Sequence, residues 1–252
     1  MDEDTILGVD ETQDEIDELD IEGLDEVNFA VKLVDVSRTY SIGKKKILAL
    51  RNVNLEITTG ELVVVSGYSG SGKTTLLNVI GAIDFVSEGR VIIQDVPIGD
   101  YDESFRALFR LSNTGYIFQS YNLISTLTAV ENVMFPMQLS EDKIEKLREK
   151  AMTLLEIVKL DERHDHLPWQ LSSGEQQRVA IARAMANDPP IILADEPTAN
   201  LDAESGQMIR DMLIDLHNSG KTLVIMTHDE KIINHPGAKH LKMENGVLSN
   251  NV

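Results

Sequence analysis

The sequence predicts an α/β protein in which an antiparallel β-subdomain precedes a core of parallel strands. The stretch that begins at residue 29 alternates apolar and polar residues, as a half-exposed antiparallel strand does. Two later stretches, at 62–65 and 191–194, are continuous apolar runs typical of parallel strands buried on both faces. The 252 residues are enough for one sizeable core with an inserted subdomain.

The β-subdomain is predicted to open with a strand pair. FAVKLVDVSRTY at 29–40 is the first strand, and ILALRNVNLEI at 47–57 is its expected partner. The lysines between them, Lys44 to Lys46, are interpreted as a solvated hairpin turn. ELVVVSG at 61–67 follows and predicts the first buried parallel strand.

The next stretch, GYSGSGKTT at 67–75, has the residue spacing of a P-loop, and it lies between that strand and the apolar helix TTLLNVIGAI. Its glycines let the backbone turn tightly, so that successive N–H groups point at a triphosphate above a helix N-terminus. Lys73 is expected to reach the β and γ phosphates, and Thr74 to ligate Mg²⁺. The sequence therefore predicts a P-loop NTPase. Its expected phosphate-binding residues are Gly67, Ser69, Gly70, Ser71, Gly72, Lys73, Thr74 and Thr75.

PPIILADEP at 189–197 supplies the acidic strand that a P-loop needs for its metal. Four apolar residues place Asp195 at the carboxyl end of a buried parallel strand, the edge at which open α/β sheets bind ligands. Asp195 is expected to hold Mg²⁺. The adjacent Glu196 is then placed to polarise a water that attacks the γ-phosphate.

Composition excludes several other classes. The chain has no cysteine, which excludes disulfides, thiol nucleophiles and thiolate metal sites. Its apolar runs are far shorter than the roughly 20 residues of a membrane helix, so a soluble intracellular protein is expected. The net charge is −19, but residues 1–28 hold 13 of the 42 acidic side chains and none of the 23 basic ones. The remainder has 29 acids against 23 bases and no basic stripe beyond Lys44, Lys45 and Lys46, which argues against duplex nucleic acid as the main partner.

The segment at 1–28 is interpreted as an acidic, disordered tail, because like charges at this density repel one another and leave little to bury. The alternative is a short partner-binding helix that would use Ile16, Leu19 and Ile21. The folded domain is expected to begin at residue 29.

Four stretches occur in the order and approximate spacing of the ATP-binding-cassette (ABC) ATPases: GYSGSGKTT, LSSGEQQRVAIARA, IILADEPTANLD and VIMTHD. From about Phe29 to Val252 the chain resembles this family. The resemblance implies a RecA-like P-loop core with ATP as the nucleotide, and a helical subdomain at about 120–186. In that insertion an apolar face is predicted from residues three and four apart: Ile144, Leu147, Ala151, Leu154 and Val158.

The resemblance also implies further site residues. Tyr40 matches the aromatic residue that stacks on adenine. Gln119, in GYIFQSYNL, matches the glutamine that senses Mg²⁺ and the attacking water and links the site to a membrane partner. His228 matches the histidine that contacts the γ-phosphate, and Asp202 the aspartate of a loop that crosses to another subunit. The expected catalytic residues are Glu196, His228 and Gln119, and the expected metal ligands are Thr74, Gln119 and Asp195.

LSSGEQQRVA at 171–180 is a second candidate for anion binding, because it opens with small residues rich in N–H and O–H donors. The resemblance implies that Ser172, Ser173, Gly174 and Glu175 bind the ATP held by a second copy, in a head-to-tail dimer around two ATP. The common form of the motif is LSGGQ, whereas here Ser173 replaces the first glycine and Glu175 the glutamine. Ser173 adds bulk beside the phosphate, so hydrolysis is expected to be retained but slow. The alternative is that Ser172 only caps a helix.

FQSYNLISTLTAVENVMFPMQL and the stretch from Gln170 to Asp202 resemble the lipoprotein-release and macrolide-export type of ABC ATPase, the branch that includes the cell-division ATPase. This resemblance implies an ATPase on the cytoplasmic face of the membrane that drives a separately encoded integral membrane permease. No nucleic-acid partner is expected. The alternative is a soluble ABC ATPase acting on DNA or ribosomes. Such proteins usually carry a long coiled-coil insertion or two cassettes with a basic linker, and this sequence has neither.

Overall fold

The structure, a computed structural model, describes residues 28–139 and 143–250. The predictions for residues 1–27 lie outside the described residues. Within the described residues, the predicted α/β fold class is confirmed. The strands are β1 (Phe29–Ile42), β2 (Lys45–Thr58), β3 (Leu62–Ser66), β4 (Glu88–Ile93), β5 (Val96–Pro97), β6 (Thr114–Ile117), β7 (Ile191–Asp195), β8 (Thr222–Met226), β9 (Lys239–Glu244) and β10 (Val247–Asn250). The α-helices are α1 (Lys73–Ile80), α2 (Glu103–Asn113), α3 (Ala129–Met134), α4 (Ile144–Ile157), α5 (Ser173–Ala184), α6 (Ala203–Asn218) and α7 (Glu230–Ile233).

The β-subdomain is a four-stranded antiparallel sheet with the order β2-β1-β4-β5. β1 and β2 form the predicted hairpin, in which Tyr40 pairs with Ile47 and Ile42 with Lys45. The turn itself is Gly43 and Lys44, so the other two lysines of the predicted turn begin β2.

The core is a six-stranded sheet with the order β10-β9-β3-β8-β7-β6. β3 pairs in parallel with both β8 and β9, and β7 pairs in parallel with both β6 and β8. Only the β9–β10 pair of this sheet is antiparallel within the described chain. The carboxyl ends of β3, β7 and β8 therefore meet at one edge, where the three motifs that follow these strands come together.

The core strands are buried on both faces, as their continuous apolar runs predict. Side chains of alternate residues point to opposite faces of a sheet. On β3, Leu62 and Val64 accordingly join one apolar cluster with α3, α4, α5 and α6, whereas Val63 and Val65 join a second cluster with α1 and the β-subdomain. The nucleotide motifs thus stand on a framework packed from both sides.

Three helices, α3, α4 and α5, lie in the predicted insertion at 120–186. The predicted apolar face of α4 is partly wrong: Ile144 is exposed, and Leu155 rather than Leu154 is fully buried with Leu147 and Ala151. The sequence analysis did not predict α2. Asp102 caps the start of this helix, and its side chain accepts a hydrogen bond from the amide of Phe105. No described helix combines the length and the apolar character needed to cross a bilayer.

Candidate active site

The predicted P-loop connects the end of β3 to the start of α1, and its glycines are needed for steric reasons. Gly67 has φ 156°, and a side-chain carbon there would collide with the carbonyl oxygen of Met243. Gly72 has φ 114°, and a Cβ there would lie 2.6 Å from the carbonyl oxygen of Ala49. Any larger residue would move the loop away from the β-subdomain and the β9–β10 hairpin.

The donors of this loop fit a bound phosphate. α1 begins at Lys73 with no side-chain cap from Gly72, and the N–H groups of a first helical turn have no acceptors within the helix. The hydroxyl of Ser71 is buried and has no hydrogen-bond partner in the described part of the chain. Lys73 Nζ donates to the carbonyl oxygens of Gly67 and Tyr68, at 2.5 and 3.3 Å. The first-turn amides thus have no acceptors within the helix, the Ser71 hydroxyl has none in the described chain, and Lys73 lies beside them, as a phosphate cradle requires.

Thr74 and Asp195 meet across the start of α1 and the end of β7. Thr74 Oγ1 donates to Asp195 Oδ2 at 2.8 Å. Burial raises the pKa of Asp195 above its ordinary value and Glu196 adds to this, while the hydrogen bond from Thr74 and the charge of Lys73 oppose it. A hydroxyl and a carboxylate side by side are the oxygen ligands that Mg²⁺ prefers, so these residues fit the predicted metal.

Glu196 and His228 also lie together. Glu196 follows β7 with φ 46°, and its amide donates to the carbonyl oxygen of Met226 at 2.8 Å. Its Oε1 lies 3.0 Å from His228 Nδ1 and 3.8 Å from Lys73 Nζ. The Glu196 side chain is 11% exposed and that of His228 is 77% exposed. A shielded carboxylate is thus held between a lysine and a histidine that faces solvent.

These residues line one open cavity of about 610 Å³, a size that suits a small-molecule ligand. The structure therefore brings together the P-loop, Gln119, Asp195, Glu196 and His228. Further lining residues that the sequence did not indicate come from β2 and the β9–β10 turn: Ile47, Leu48, Ala49, Arg51, Asn245 and Gly246.

Tyr40 is not among the residues that line the cavity. Its hydroxyl donates to Asp84 Oδ2 at 2.5 Å, and the guanidinium carbon of Arg38 lies 4.6 Å from its ring centroid. Its strand partner Ile47 lines the cavity instead. The role of Tyr40 in stacking on adenine stays a prediction.

The 171–175 segment likewise lies outside this cavity. Ser172 caps α5 in a capping box: its hydroxyl accepts from the Glu175 amide at 3.3 Å, and Glu175 Oε2 accepts from the Ser172 amide at 2.8 Å. Burial opposes ionisation of Glu175, but its hydrogen bonds with Ser172 and the nearby arginines outweigh burial and lower its pKa. Ser173 is the first residue of α5, and Gly174 packs against Ser205 of α6, where a Cβ would lie 2.5 Å from Ser205 Oγ.

Asp229, which directly follows His228, supports the loops beside the site from outside the cavity, and the sequence analysis did not indicate it. Its Oδ2 accepts from Thr198 Oγ1 at 2.9 Å and from Arg210 Nη1 at 2.8 Å. It thereby ties the loop after β8 to the loop after Glu196 and to α6. Asp202 opens α6, where its carboxylate accepts from two backbone amides. Its position directly after the histidine of the VIMTHD motif is the sequence feature that could have indicated Asp229.

The model of the ABC transporter family matches residues 50–199, more than half of the chain. This chain belongs to the ABC transporter family. It is 44% identical over 218 residues to the ABC transporter ATP-binding protein MJ1508 of Methanocaldococcus jannaschii, covering 86% of this chain and 97% of that protein. It is also 44% identical over 202 residues to the macrolide export ATP-binding/permease protein MacB of Hyphomonas neptunium, covering 80% of this chain but 31% of that protein.

Two similar solved structures are dimers of the ABC cassette MJ0796. One has a TM-score of 0.81 and 42% identity and covers 87% of this chain and 97% of that chain. The other, a post-hydrolysis state with ADP and Pi, has a TM-score of 0.81 and 41% identity. The match covers 87% of this chain and 98% of that chain. The predicted family and P-loop fold are confirmed. This ABC protein is an ATPase that uses ATP with Mg²⁺, and its relatives agree with the predicted macrolide-export subgroup.

Proposed function

We propose that this ABC protein is the ATP-hydrolysing subunit of a transporter complex, and that two copies close head to tail around two ATP to drive a separate membrane permease. The observation that carries this proposal is the separation of two anion-binding segments on one chain. The P-loop lines the cavity, whereas the 171–175 segment lies outside it with Ser172 exposed. A two-fold related copy would place each such segment opposite the other P-loop and close both sites at once.

The residues of the cavity hold the nucleotide in this proposal. The P-loop amides and Lys73 bind the β and γ phosphates, because the first-turn amides have no acceptors within the helix and Lys73 Nζ is held at the loop by the carbonyl oxygens of Gly67 and Tyr68. Thr74, Gln119 and Asp195 hold Mg²⁺, which when bound neutralises charge that develops on the phosphates. Ile47, directly beside the hairpin, offers apolar surface to the base.

Glu196 acts as the general base. It orients the attacking water and takes a proton as the water oxygen bonds to the γ-phosphorus and the bond to the β-phosphate oxygen breaks. His228 Nδ1, 3.0 Å away, positions the carboxylate and leaves the second ring nitrogen for the γ-phosphate. Gln119, which lines the same cavity, contacts the same water.

The start of α5 acts on the ATP of the other copy. Ser172 Oγ accepts from the Glu175 amide, so its own hydroxyl hydrogen is left to donate to a phosphate. The N-terminus of this 12-residue helix adds a partial positive charge that compensates the γ-phosphate. Hydrolysis removes that negative charge and releases the dimer. The dimeric state of MJ0796 supports this arrangement.

A membrane permease is the proposed partner because MacB-type relatives are ATP-binding/permease proteins, of which this chain covers about a third. A groove of about 480 Å³, lined by Ile83, Phe118 and Phe135 among others, adjoins Gln119 and offers apolar surface for such a partner. The proposed location is therefore the cytoplasmic face of the membrane. Action on DNA or ribosomes is the less favoured function, since the described body has no basic stripe beyond Lys44, Lys45 and Lys46.

Ser172→Arg in a Glu196→Gln background tests the dimer, because the bulky cation would obstruct the partner's ATP. The variant should still bind ATP as a monomer, but ATP should no longer produce a dimer in light scattering. Thr128→Arg is the matched control, since Thr128 caps α3 with the same kind of capping box and lies outside the cavity. The control should dimerise normally.

Two outcomes would contradict the proposal. An undisturbed ATP-dependent dimer in the Ser172→Arg variant would leave Ser172 as a helix cap only, and loss of ATP affinity in the monomer would place the segment in its own site. The permease is tested by co-purification from detergent extracts of membranes. Recovery of the chain with ribosomes or DNA, and with no membrane protein, would favour the alternative function.

A further inference from the structure

Asp84 lies in the segment that follows α1 and connects this segment to β1. Its amide donates to the carbonyl oxygen of Asn78 on α1 at 3.1 Å. Its carboxylate Oδ2 accepts from the Tyr40 hydroxyl at 2.5 Å and from Arg38 Nε at 3.1 Å, and its Oδ1 accepts from Arg38 Nη2 at 2.6 Å. A single side chain thus joins the end of the P-loop helix to two side chains of the β1–β2 hairpin.

Asp84 is itself held in place from α2. Arg106, which is 1% exposed, donates from Nη2 to the carbonyl oxygens of Ala82 and Asp84 at 2.7 and 2.8 Å. The guanidinium carbon of Arg106 also lies 3.6 Å from the ring centroid of Phe85. Arg110 Nη1 donates to the carbonyl oxygen of Ala82 at 2.8 Å. Because the backbone on both sides of Asp84 is fixed, its carboxylate has a defined position, as a group that orients another side chain requires.

The ring of Tyr40 is restrained at two points. Its hydroxyl is bonded to Asp84, and the guanidinium carbon of Arg38 lies 4.6 Å from its ring centroid. The side chains of Asp84 and Arg38 are 16% and 21% exposed, so salt screens their ion pair less than it screens a surface pair. A tyrosine side chain has only two torsions before its ring, so these two contacts together fix the orientation of the ring.

The Tyr40 ring lies beside the part of the cavity at which the base is proposed to bind. Tyr40 pairs directly with Ile47, and directly opposed residues of an antiparallel pair place their Cβ atoms about 4.5–5.5 Å apart on the same face of the sheet. Ile47 lines the cavity together with Leu48 and Ala49, which follow it on β2. A change in the orientation of the Tyr40 ring would therefore alter the surface that Ile47 offers to the base.

We propose that Asp84 is a positioning residue for the base of the nucleotide. By holding the Tyr40 hydroxyl, it fixes the ring beside Ile47 and so forms the surface on which the base binds. This inference rests on the proposed function, which assigns the cavity to ATP. Asp84 does not line the cavity, so it acts through Tyr40 and Ile47, on the affinity for the base and not on the chemistry of the phosphates.

Equilibrium binding of ADP and of pyrophosphate, each with Mg²⁺, tests this role in the full chain. Both ligands have two linked phosphates and neither has a γ-phosphate to hydrolyse, but only ADP has a base. Asp84→Ala and Tyr40→Phe should each weaken ADP binding by about three- to tenfold, the loss expected for one hydrogen bond, and should leave pyrophosphate binding unchanged. Glu56→Ala is the matched control, because it removes a β-subdomain carboxylate that pairs with Lys32 at 2.7 Å outside the cavity. The control should bind both ligands as the unmodified chain does.

A double-mutant cycle assigns the effect to the contact between the two side chains. The chain with both Asp84→Ala and Tyr40→Phe should bind ADP no more weakly than the chain with Asp84→Ala alone, because each partner acts only through the other. Tyr40→Phe keeps the ion pair of Asp84 with Arg38, so it tests the hydroxyl even where Asp84→Ala impairs folding. In steady-state turnover, Tyr40→Phe should raise the KM for ATP by the same factor and leave kcat unchanged, since contact with the base is equal in the ground state and the transition state.

Three results would overturn the role of Asp84. Equal losses of ADP and pyrophosphate affinity would make Asp84 a structural residue only. Full ADP affinity in the Tyr40→Phe variant, or additive losses in the double variant, would separate Asp84 from Tyr40. Failure of the proposed function gives a different result: the unmodified chain would then bind neither ligand. Pyrophosphate binding as tight as that of ADP in the unmodified chain would keep the phosphate site and refute only the positioning of the base.

Discussion

Replacement of Glu196 by Gln gives the sharpest test of the proposed chemistry. The substitution removes the proton acceptor but keeps the size of a side chain that is 11% exposed. The hydrogen bond from the backbone amide of residue 196 to the carbonyl oxygen of Met226 is unaffected. Gln must adopt the same φ of 46° as Glu, so the substitution adds no new backbone strain. Lys73 loses a partner 3.8 Å away but keeps the carbonyl oxygens of Gly67 and Tyr68. Binding of ATP with Mg²⁺ should therefore persist.

The expected loss is in turnover. General-base catalysis contributes about 10²- to 10⁴-fold, which corresponds to about 2.7–5.4 kcal/mol in the activation barrier. The amide oxygen of Gln can still accept from His228 Nδ1, and the charge lost faces Lys73 at 3.8 Å. The free energy of unfolding should therefore change by no more than about 1 kcal/mol, a shift of about 2–4 °C in Tm for a chain of this size. The effect should thus appear in kcat and not in stability.

Phosphate release under saturating ATP measures kcat, and equilibrium ATP binding measures affinity in the same preparation. Lys73→Ala is the comparison, because it removes a phosphate-binding charge and should weaken ATP binding itself. Turnover of Glu196→Gln within about threefold of the unmodified chain, far below the effect expected for a general base, would refute the assignment of Glu196. Loss of ATP binding in that variant would instead make Glu196 a binding residue.

Two further predictions concern contacts that shape the site. Gly174→Ala should lower the free energy of unfolding by about 1–3 kcal/mol, because the added Cβ would lie 2.5 Å from Ser205 Oγ. Adding Ser205→Gly to that variant should restore most of the lost Tm. An unchanged Tm in the Gly174→Ala variant would contradict this prediction. Asp229→Asn should destabilise the chain at neutral pH by about 1.5–3 kcal/mol. Burial opposes ionisation of Asp229, but hydrogen bonds from Arg210 and Thr198 and nearby groups outweigh it and lower its pKa. A carboxylate with a lowered pKa stabilises the fold above its unfolded pKa of about 3.9 and loses this contribution as pH falls through the lower folded pKa. Urea unfolding of both proteins should therefore show the difference narrowing below about pH 4, and a difference independent of pH would contradict the ionised role.

Much of this site could be predicted from the sequence because its chemistry is local. The P-loop needs glycines, a lysine and a threonine at fixed spacing, and the collisions that a side chain would cause at Gly67 and Gly72 explain why. The apolar run before Asp195 likewise predicts a buried strand with an acid at its end, which β7 confirms. Periodicity located α4 but not its exact buried face, since Leu154 and Leu155 lie on neighbouring sides of the same stripe.

The tertiary structure alone decided which of these local pieces meet. Glu196 and His228 are 32 residues apart, and they touch because β7 and β8 pair in parallel with Asp195 opposite Met226. The same pairing lets Asp229 join Thr198 and Arg210, and helix packing sets Gly174 against Ser205. Strand order and helix contact are long-range properties that no short window of sequence contains. The sequence thus determined the donors, acids and turns, whereas their distances and their grouping around one cavity depended on how the chain packs.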